Sequence, residues 1–386
     1  MNQRLHVLQL INSFSRGGAE TLAWALATEL AARGEFRSSV CAVGRGDHAT
    51  ETSVRRMLGN AGVETWSLVD GGSAHWLIRA ARLRSMLSEK CVDIMQSSVT
   101  HPIELAACGS RASVVHVFHA AKVLGSRPIA TGVAERVSAR LAGALVAVSE
   151  TGRLAATERL GLKWDRVRVI PNGVAIATLR GNATAGSRNR TRETLQLPLD
   201  APLAVVVGRI DRNKGQDRAV EALARTEARR LHLAFAGSAD RDPEFVAELR
   251  EMIRLKGLAR RCHFPGVVED VGALLNASDL VIAPSRSEAF GLAVVEAMAC
   301  AVPVVASDIP AHREISCGGR HALLFHDAAE LASQMSLVVS GRRGCDIDEA
   351  ARHVATSYDI GGVVERYVSL YESLRGPESR RVGGSR

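Results

Sequence analysis

Apolar runs of strand length alternate with helix-length spacers along almost the whole chain, and no other feature narrows the choice of fold so far. The first half reads strand LHVLQLIN, helix Ala19 to Arg33, strand SSVCAVG, helix Thr52 to Asn60 and strand ETWSLV. It continues through helix 75–89, strand VDIMQSS, helix 101–108, strand SVVHVFHA, helix 131–141 and strands ALVAVSE and VRVIPNGV. Strands this uniformly apolar are buried on both faces, and right-handed βαβ units bury them so. The expected class is therefore α/β, with a parallel, doubly wound sheet.

The turn signal Pro171-Asn172-Gly173 closes that series, and the alternation restarts at LAVVVGRI. Helix 215–229, strand LHLAFAGS, helix 243–256, strand CHFPGVV, helix 271–276, strand DLVIAPS and strand VPVVAS follow, then helices 328–340 and 346–357. A chain of 386 residues exceeds what one core usually accommodates, so two Rossmann-like domains are expected. Their spans are 1–178 and 201–359, joined by a polar, Arg-rich linker with a short helix at 179–200. The last amphipathic stretch, about 360–376, is expected to cross back onto the first domain, with a disordered tail beyond Gly376.

Seven cysteines, scattered and without a CxxC pair, fit a reducing compartment. MNQRLHVLQLIN has no signal-peptide pattern, and no run approaches the ~20 apolar residues of a membrane helix. A cytoplasmic protein is expected, with peripheral contact to an anionic membrane face as one outlet for its net charge of +8. Much of that charge sits in RGNATAGSRNRTRE and in the tail, both read as solvated and flexible. Neither carries interleaved aromatic residues, which excludes a nucleic-acid surface.

The densest chemistry lies in DLVIAPSRSEAFGLAVVEAMACAVPVVAS, a strand, loop, helix and strand over 279–306. Glu288 precedes a helix beginning near Gly291, and Glu296 lies one to two turns inside it, among apolar neighbours. A desolvated carboxylate needs hydrogen-bond donors, which sugar hydroxyls supply in pairs, while the amides of Ala289, Phe290, Gly291 and Leu292 suit a phosphate. The plainer reading makes Glu288 a carboxylate favoured by the helix dipole and Glu296 a salt-bridge partner.

Other loops at strand ends add candidates. GRIDRNKGQD supplies Gly208, Arg209 and Lys214, a forked and a mobile cation beside a helix start, suited to a diphosphate. NSFSRGGAE places Gly17 and Gly18 where backbone can approach an anion. In VVHVFHA, His116 reads as a packed residue, whereas His119 stands at the strand's carboxyl end, the ligand edge of an open sheet. Ser98 and His101 occupy the neighbouring strand end, and Val268 in GVVED follows a strand in the second half.

These motifs together resemble the retaining GT4-type glycosyltransferases of the GT-B fold over roughly residues 5–375. Glu288, Phe290, Gly291, Glu296 and Ala297 follow the EX7E signature, GGAE the GGxE loop, Arg209 and Lys214 the GR…KG element, and VIPNGV the wording at the domain boundary. The resemblance implies two domains across a cleft, with Glu288 and His119 on the donor sugar. Glu296 would meet the ribose, and Arg209 and Lys214 the diphosphate. Val268 would flank the base, and Ser98 and His101 would face the acceptor. Departures are Ala289, Ala301 and Ala120 at small-residue positions, and Gln96 with Ser98 in place of a histidine-rich strand end. The implied activity is transfer of a hexose-type sugar from a nucleotide-sugar, UDP-linked by family frequency, to a hydroxyl of a glycan, lipid-linked or small acceptor. No cofactor and no metal are expected. A sugar-nucleotide epimerase on this fold and a non-catalytic nucleotide-sugar or glycolipid binder are the alternatives.

Overall fold

The computed structural model describes residues 4–374 apart from 16, 47, 70–74, 100–101, 108–109, 120–128, 182–183 and 343. Two compact units divide the chain, Met1–Gly173 with Ile360–Arg386, and Val174–Asp359.

The first unit is built on seven parallel strands: β1 (Leu5–Ile11), β2 (Phe36–Ala42), β3 (Glu64–Ser67), β4 (Ile94–Ser97), β5 (Ser113–Phe118), β6 (Ala144–Ala147) and β7 (Val167–Val169). Their order is β3-β2-β1-β4-β5-β6-β7. Every residue of β1 is buried, so its polar members must be paired internally. The His6 ring bonds Ser39 Oγ at 2.9 Å and Gln9 Nε2 donates to Tyr371 Oη at 3.5 Å. The order reverses between β1 and β4, which opens a crevice beyond their carboxyl ends. Asn12 to Ser15, Gly17 and Ser98 stand there.

The second unit carries six parallel strands: β8 (Leu203–Val207), β9 (His232–Ala236), β10 (Cys262–Gly266), β11 (Leu280–Ala283), β12 (Val304–Ser307) and β13 (Leu323–Phe325), ordered β10-β9-β8-β11-β12-β13. Its reversal falls between β8 and β11. The loops after those two strands are GRIDRNKG and PSRSEAFG, so topology alone gathers the two motifs richest in charge.

The helix Ile360–Ser373 belongs to the first unit and buries Val363, Val364, Tyr367, Leu370 and Tyr371. At about 1.5–3 kcal/mol for each large apolar side chain, that face is a substantial part of the unit's core. The Tyr371 hydroxyl donates to Gln96 Oε1 at 2.6 Å, tying the end of the chain to β4.

Two expectations are corrected. Residues 179–200, read as a linker with a short helix and flexible arginines, do hold a helix, Ala185–Thr194, but it packs within the second unit and its arginines are fixed. Arg188 and Arg192, one turn apart, both hold Asp279 (2.7 and 2.9 Å), and Arg192 is 1% exposed with three further carbonyl partners within 2.9 Å. A guanidinium with every nitrogen partnered can be buried, which charge counting along the sequence cannot reveal. The expected helix 101–108 is a short 3-10 turn at Pro102–Ala106, and an unanticipated helix, Pro310–Ile315, starts on its own proline. The tail beyond Gly376 lies outside the described residues.

Candidate functional site

Close backbone packing shapes the carboxyl edge of the second sheet. A Cβ on Gly237 would lie 2.1 Å from the Gly208 carbonyl oxygen, and one on Gly215, at φ +70°, would lie 2.2 Å from that of Pro284. The loops after β8, β9 and β11 therefore touch backbone to backbone. Asp211 caps the turn Arg212–Lys214 by accepting the Lys214 N–H at 3.0 Å. Asn213 then links the two loops, its Nδ2 donating to the Ser287 carbonyl (2.8 Å) and its carbonyl accepting the Arg286 N–H (2.7 Å).

That scaffold brings Lys214 Nζ to 2.6 Å from Glu288 Oε1, which also accepts the Ser285 hydroxyl at 2.7 Å. Burial alone would raise the Glu288 carboxyl. The charge and hydrogen bond of Lys214, with the Ser285 bond, outweigh it and hold the group below the usual carboxylate range. Beneath the pair lies His312, 1% exposed, with Nδ1 2.9 Å from the Ser307 carbonyl. A carbonyl can only accept, so Nδ1 carries the proton. A small cavity is lined by Lys214, Ser285, Glu288, Gly291, Ala293 and His312.

Gly291, at φ +100°, caps the helix Leu292–Ala299 without a side-chain bond, leaving its first turn open to a ligand. Glu296 is half-buried on that helix, and no described residue makes a hydrogen bond or ion pair with its carboxylate. Desolvation pushes it up to about 7 against the pull of Lys214. Arg209 is 41% exposed and bonds Asp211 through Nε at 3.3 Å; no described residue accepts from its terminal nitrogens. Val268 follows β10 on the same edge of the sheet. The Phe290 ring is 4% exposed and packs edge-on to Tyr358 with centroids 5.5 Å apart. At Phe290 and Gly291 only backbone can therefore face a ligand.

In the first unit, His119 follows β5 and Ser98 follows β4. Their Nε2 and Oγ lie 3.1 Å apart, so two residues expected in different roles meet. Burial, with a smaller push from His116, lowers the His119 imidazole to about 4. His116 is 0% exposed and bonds both oxygens of Glu104 (2.7 and 2.9 Å), a packed role as expected. Gln96, read as part of the acceptor edge, is instead a buried partner of Tyr371. Gly17 caps the helix Gly18–Ala32, and a Cβ there would meet Glu20 Oε2 at 2.4 Å. The chain's own carboxylate thus lies against that helix start. His101 lies outside the described residues.

Sequence reading missed Ser285, Glu104 and His312. Ser285 stood in a loop already singled out, but Glu104 and His312 matter only through partners 12 and 5 residues away that the folded chain supplies.

Residues 201–340 match the family model described as glycosyl transferases group 1, and residues 16–178 match that of Glycosyltransferase Family 4. The chain belongs to glycosyltransferase family 4. This family member is 30% identical over 247 residues to a D-inositol 3-phosphate glycosyltransferase of Xylanimonas cellulosilytica, covering 60% of this chain and 59% of that protein. It is 28% identical over 292 residues to the D-inositol 3-phosphate glycosyltransferase of Mycolicibacterium smegmatis, covering 70% and 66%. The chain thus spans 59% to 66% of the length of these two relatives. Its fold is similar to that of Anabaena Alr3699/HepE, solved with UDP and glucose, with TM-score 0.83, 22% identity and coverage of 96% and 100%. Such likeness establishes the GT-B class of this family 4 chain. Among its described residues no helix is long and apolar enough to cross a membrane.

Proposed function

We propose that the chain is a retaining glycosyltransferase that moves a hexose-type sugar from a UDP-sugar to a hydroxyl acceptor, without a metal at the donor phosphates. The observation that carries this reading is the Lys214–Glu288–Ser285 cluster at the topological switch point of the second sheet, beside an uncapped helix start. A cation, a carboxylate and free amides in one place match a ligand with a diphosphate at one end and hydroxyls at the other. The UDP and glucose bound by the Anabaena protein support the same ligand class.

In this reading Lys214 and Arg209 take the diphosphate, and Glu288 accepts hydrogen bonds from the sugar. The ribose hydroxyls supply the donors that Glu296 lacks. As the bond from anomeric carbon to phosphate oxygen breaks, its electron pair goes to the diphosphate, whose growing charge the two cations and the helix amides stabilise. The acceptor oxygen bonds to that carbon from the face the phosphate leaves, and its proton passes to a phosphate oxygen. Configuration is thereby retained. His119 stays neutral and orients the sugar, with Ser98 and His101 toward the acceptor. Phosphorylated polyols, suggested by the relatives' names, and lipid-linked glycans are the acceptors to try.

Thermal shift with UDP-, GDP- and ADP-sugars, followed by NMR of the product's anomeric configuration, tests this. Stabilisation by a UDP-sugar with retained product is expected. Donor binding with neither transfer nor epimerisation would favour a binding protein, and an epimerised donor without acceptor would favour the isomerase. An absence of nucleotide-dependent stabilisation overturns the reading.

A further inference from the structure

Among the described residues, one group of His, Cys, Asp or Glu side chains brings three ligand atoms within 4.8 Å of one another: Cys317, His321 and His353. We propose that these three residues bind a zinc-class divalent cation, in a site separate from the donor cavity and independent of the reaction.

Two segments build it. Cys317 lies just past the helix Pro310–Ile315, at a left-handed φ of +50° that a non-glycine residue adopts only when its surroundings enforce it. His321 follows the turn through Gly318 and Gly319, and His353 comes from the helix Ile347–Ser357. Cys317 Sγ is 3.7 Å from His353 Nε2, and the two imidazoles stack with centroids 4.6 Å apart at 20°. Tyr358 closes the far side, its ring edge-on to His353 at 5.5 Å.

A second, independent observation points to a ligand. His321 is 6% exposed, and its Nδ1 is buried without a hydrogen-bond partner. An unpaired buried nitrogen is costly, and beside it the Cys317 thiol and His353 Nε2 share a single weak S–H···N hydrogen bond, whose proton a cation would replace. A cation accepts all three. One thiolate and two imidazoles with no carboxylate in the set select zinc-class ions over magnesium or calcium. Zinc bond lengths of about 2.0–2.3 Å place tetrahedral ligand atoms roughly 3.3–3.7 Å apart. The Cys317–His353 pair is already at that spacing, and the third atom needs to move by roughly 1 Å. Binding expels the Cys317 thiol proton and leaves a fourth position for water. The ion would cross-link the turn after Pro310–Ile315 to the helix Ile347–Ser357. A Cys-x3-His pair with its third ligand 32 residues further on resembles no common zinc spacing, so the trio gives no signal in the sequence.

Tag-free full-length protein, reduced, stripped with chelator and desalted, is titrated with Co2+ and then Zn2+. The expected result is one Co2+ per chain with the visible absorption of tetrahedral, thiolate-bound cobalt, displaced by zinc. Cys317→Ser should lose the sulfur charge-transfer band and weaken binding by about a hundredfold or more, and His353→Gln by about tenfold or more, while Cys345→Ser changes neither. Should the variants misfold by circular dichroism, wild-type protein gives a separate readout: zinc should slow alkylation of Cys317 but not of exposed Cys91, read by mass spectrometry. Absence of the stoichiometric cobalt band, unchanged binding by folded Cys317→Ser, or equal protection of both cysteines overturns the proposal.

Discussion

Lys214 Nζ and Glu288 Oε1 lie 2.6 Å apart although 74 residues separate them in sequence. The pair joins the loop after β8 to the loop after β11 with side chains only 24% and 16% exposed. Removing either partner leaves the other charged and poorly solvated, at a cost of about 1–3 kcal/mol. Urea unfolding of Lys214→Met, Glu288→Gln and the double variant should show the double losing less than the sum. Transfer by Glu288→Gln should fall by about a hundredfold or more.

Glu296 gives a signature in pH. Its carboxyl is raised in the fold to about 7 from 4.5, so above pH 4.5 the unfolded chain ionises first and stability drops until the native group has also ionised near pH 7. Glu296→Gln should therefore match the parent below pH 4.5 and exceed it above pH 7, by on the order of 3 kcal/mol. Calorimetric UDP binding should tighten as pH rises through 7 in the parent, because hydroxyl donors favour the ionised carboxylate, and should be flat in the variant. Equal slopes in both would remove Glu296 from the ribose.

His119 is lowered to about 4 by burial, so it is neutral at physiological pH and contributes no inflection near 6.5 to a rate profile. The sign for stability is opposite to that of Glu296. As pH falls below 6.5 the unfolded histidine takes up a proton first, and stability is lost progressively down to about pH 4. His119→Ala should abolish that acid-side loss and cut transfer roughly a hundredfold, while leaving UDP affinity within about threefold. A large loss of UDP affinity would move His119 onto the nucleotide.

Gly215 combines a φ of +70° with a Cβ position 2.2 Å from the Pro284 carbonyl oxygen. Alanine there must push apart the two loops that hold Lys214 and Glu288. Gly215→Ala should cost roughly 2–4 kcal/mol in denaturant, whereas Gly257→Ala, with positive φ but open space, should cost only about 1 kcal/mol.

Tyr371 reports on the returning helix. Its hydroxyl is buried between Gln9 and Gln96, so Tyr371→Phe leaves two glutamines short of a partner and should cost about 1–2 kcal/mol. A chain ending at Asp359 should lose cooperative unfolding of the first unit, read by hydrogen exchange in β1 and β4.

Much of the fold and part of the site could be read directly from the residues. Among the described residues thirteen strands alternate with helices because strand-length apolar runs and helix-length spacers permit little else. Gly208, Lys214, Glu288 and Gly291 were recognisable because strand ends, glycines and isolated charges are local signals. Arg192 was misread for the opposite reason, its burial depending on Asp279 and the Ala277 carbonyl, 87 and 85 residues away, and on how the chain after its helix folds back to offer the Pro198 and Ala201 carbonyls. Phe290 belonged to a ligand motif and yet turned its ring inward.

By itself, the sequence determined the class of fold and the strand tips that bear charge, since hydrophobic period and turn chemistry act over a few residues. Only the tertiary structure decided which charges meet. It paired Lys214 with Glu288, His119 with Ser98, and Cys317 with His353, because such encounters depend on strand order and loop packing between segments tens of residues apart.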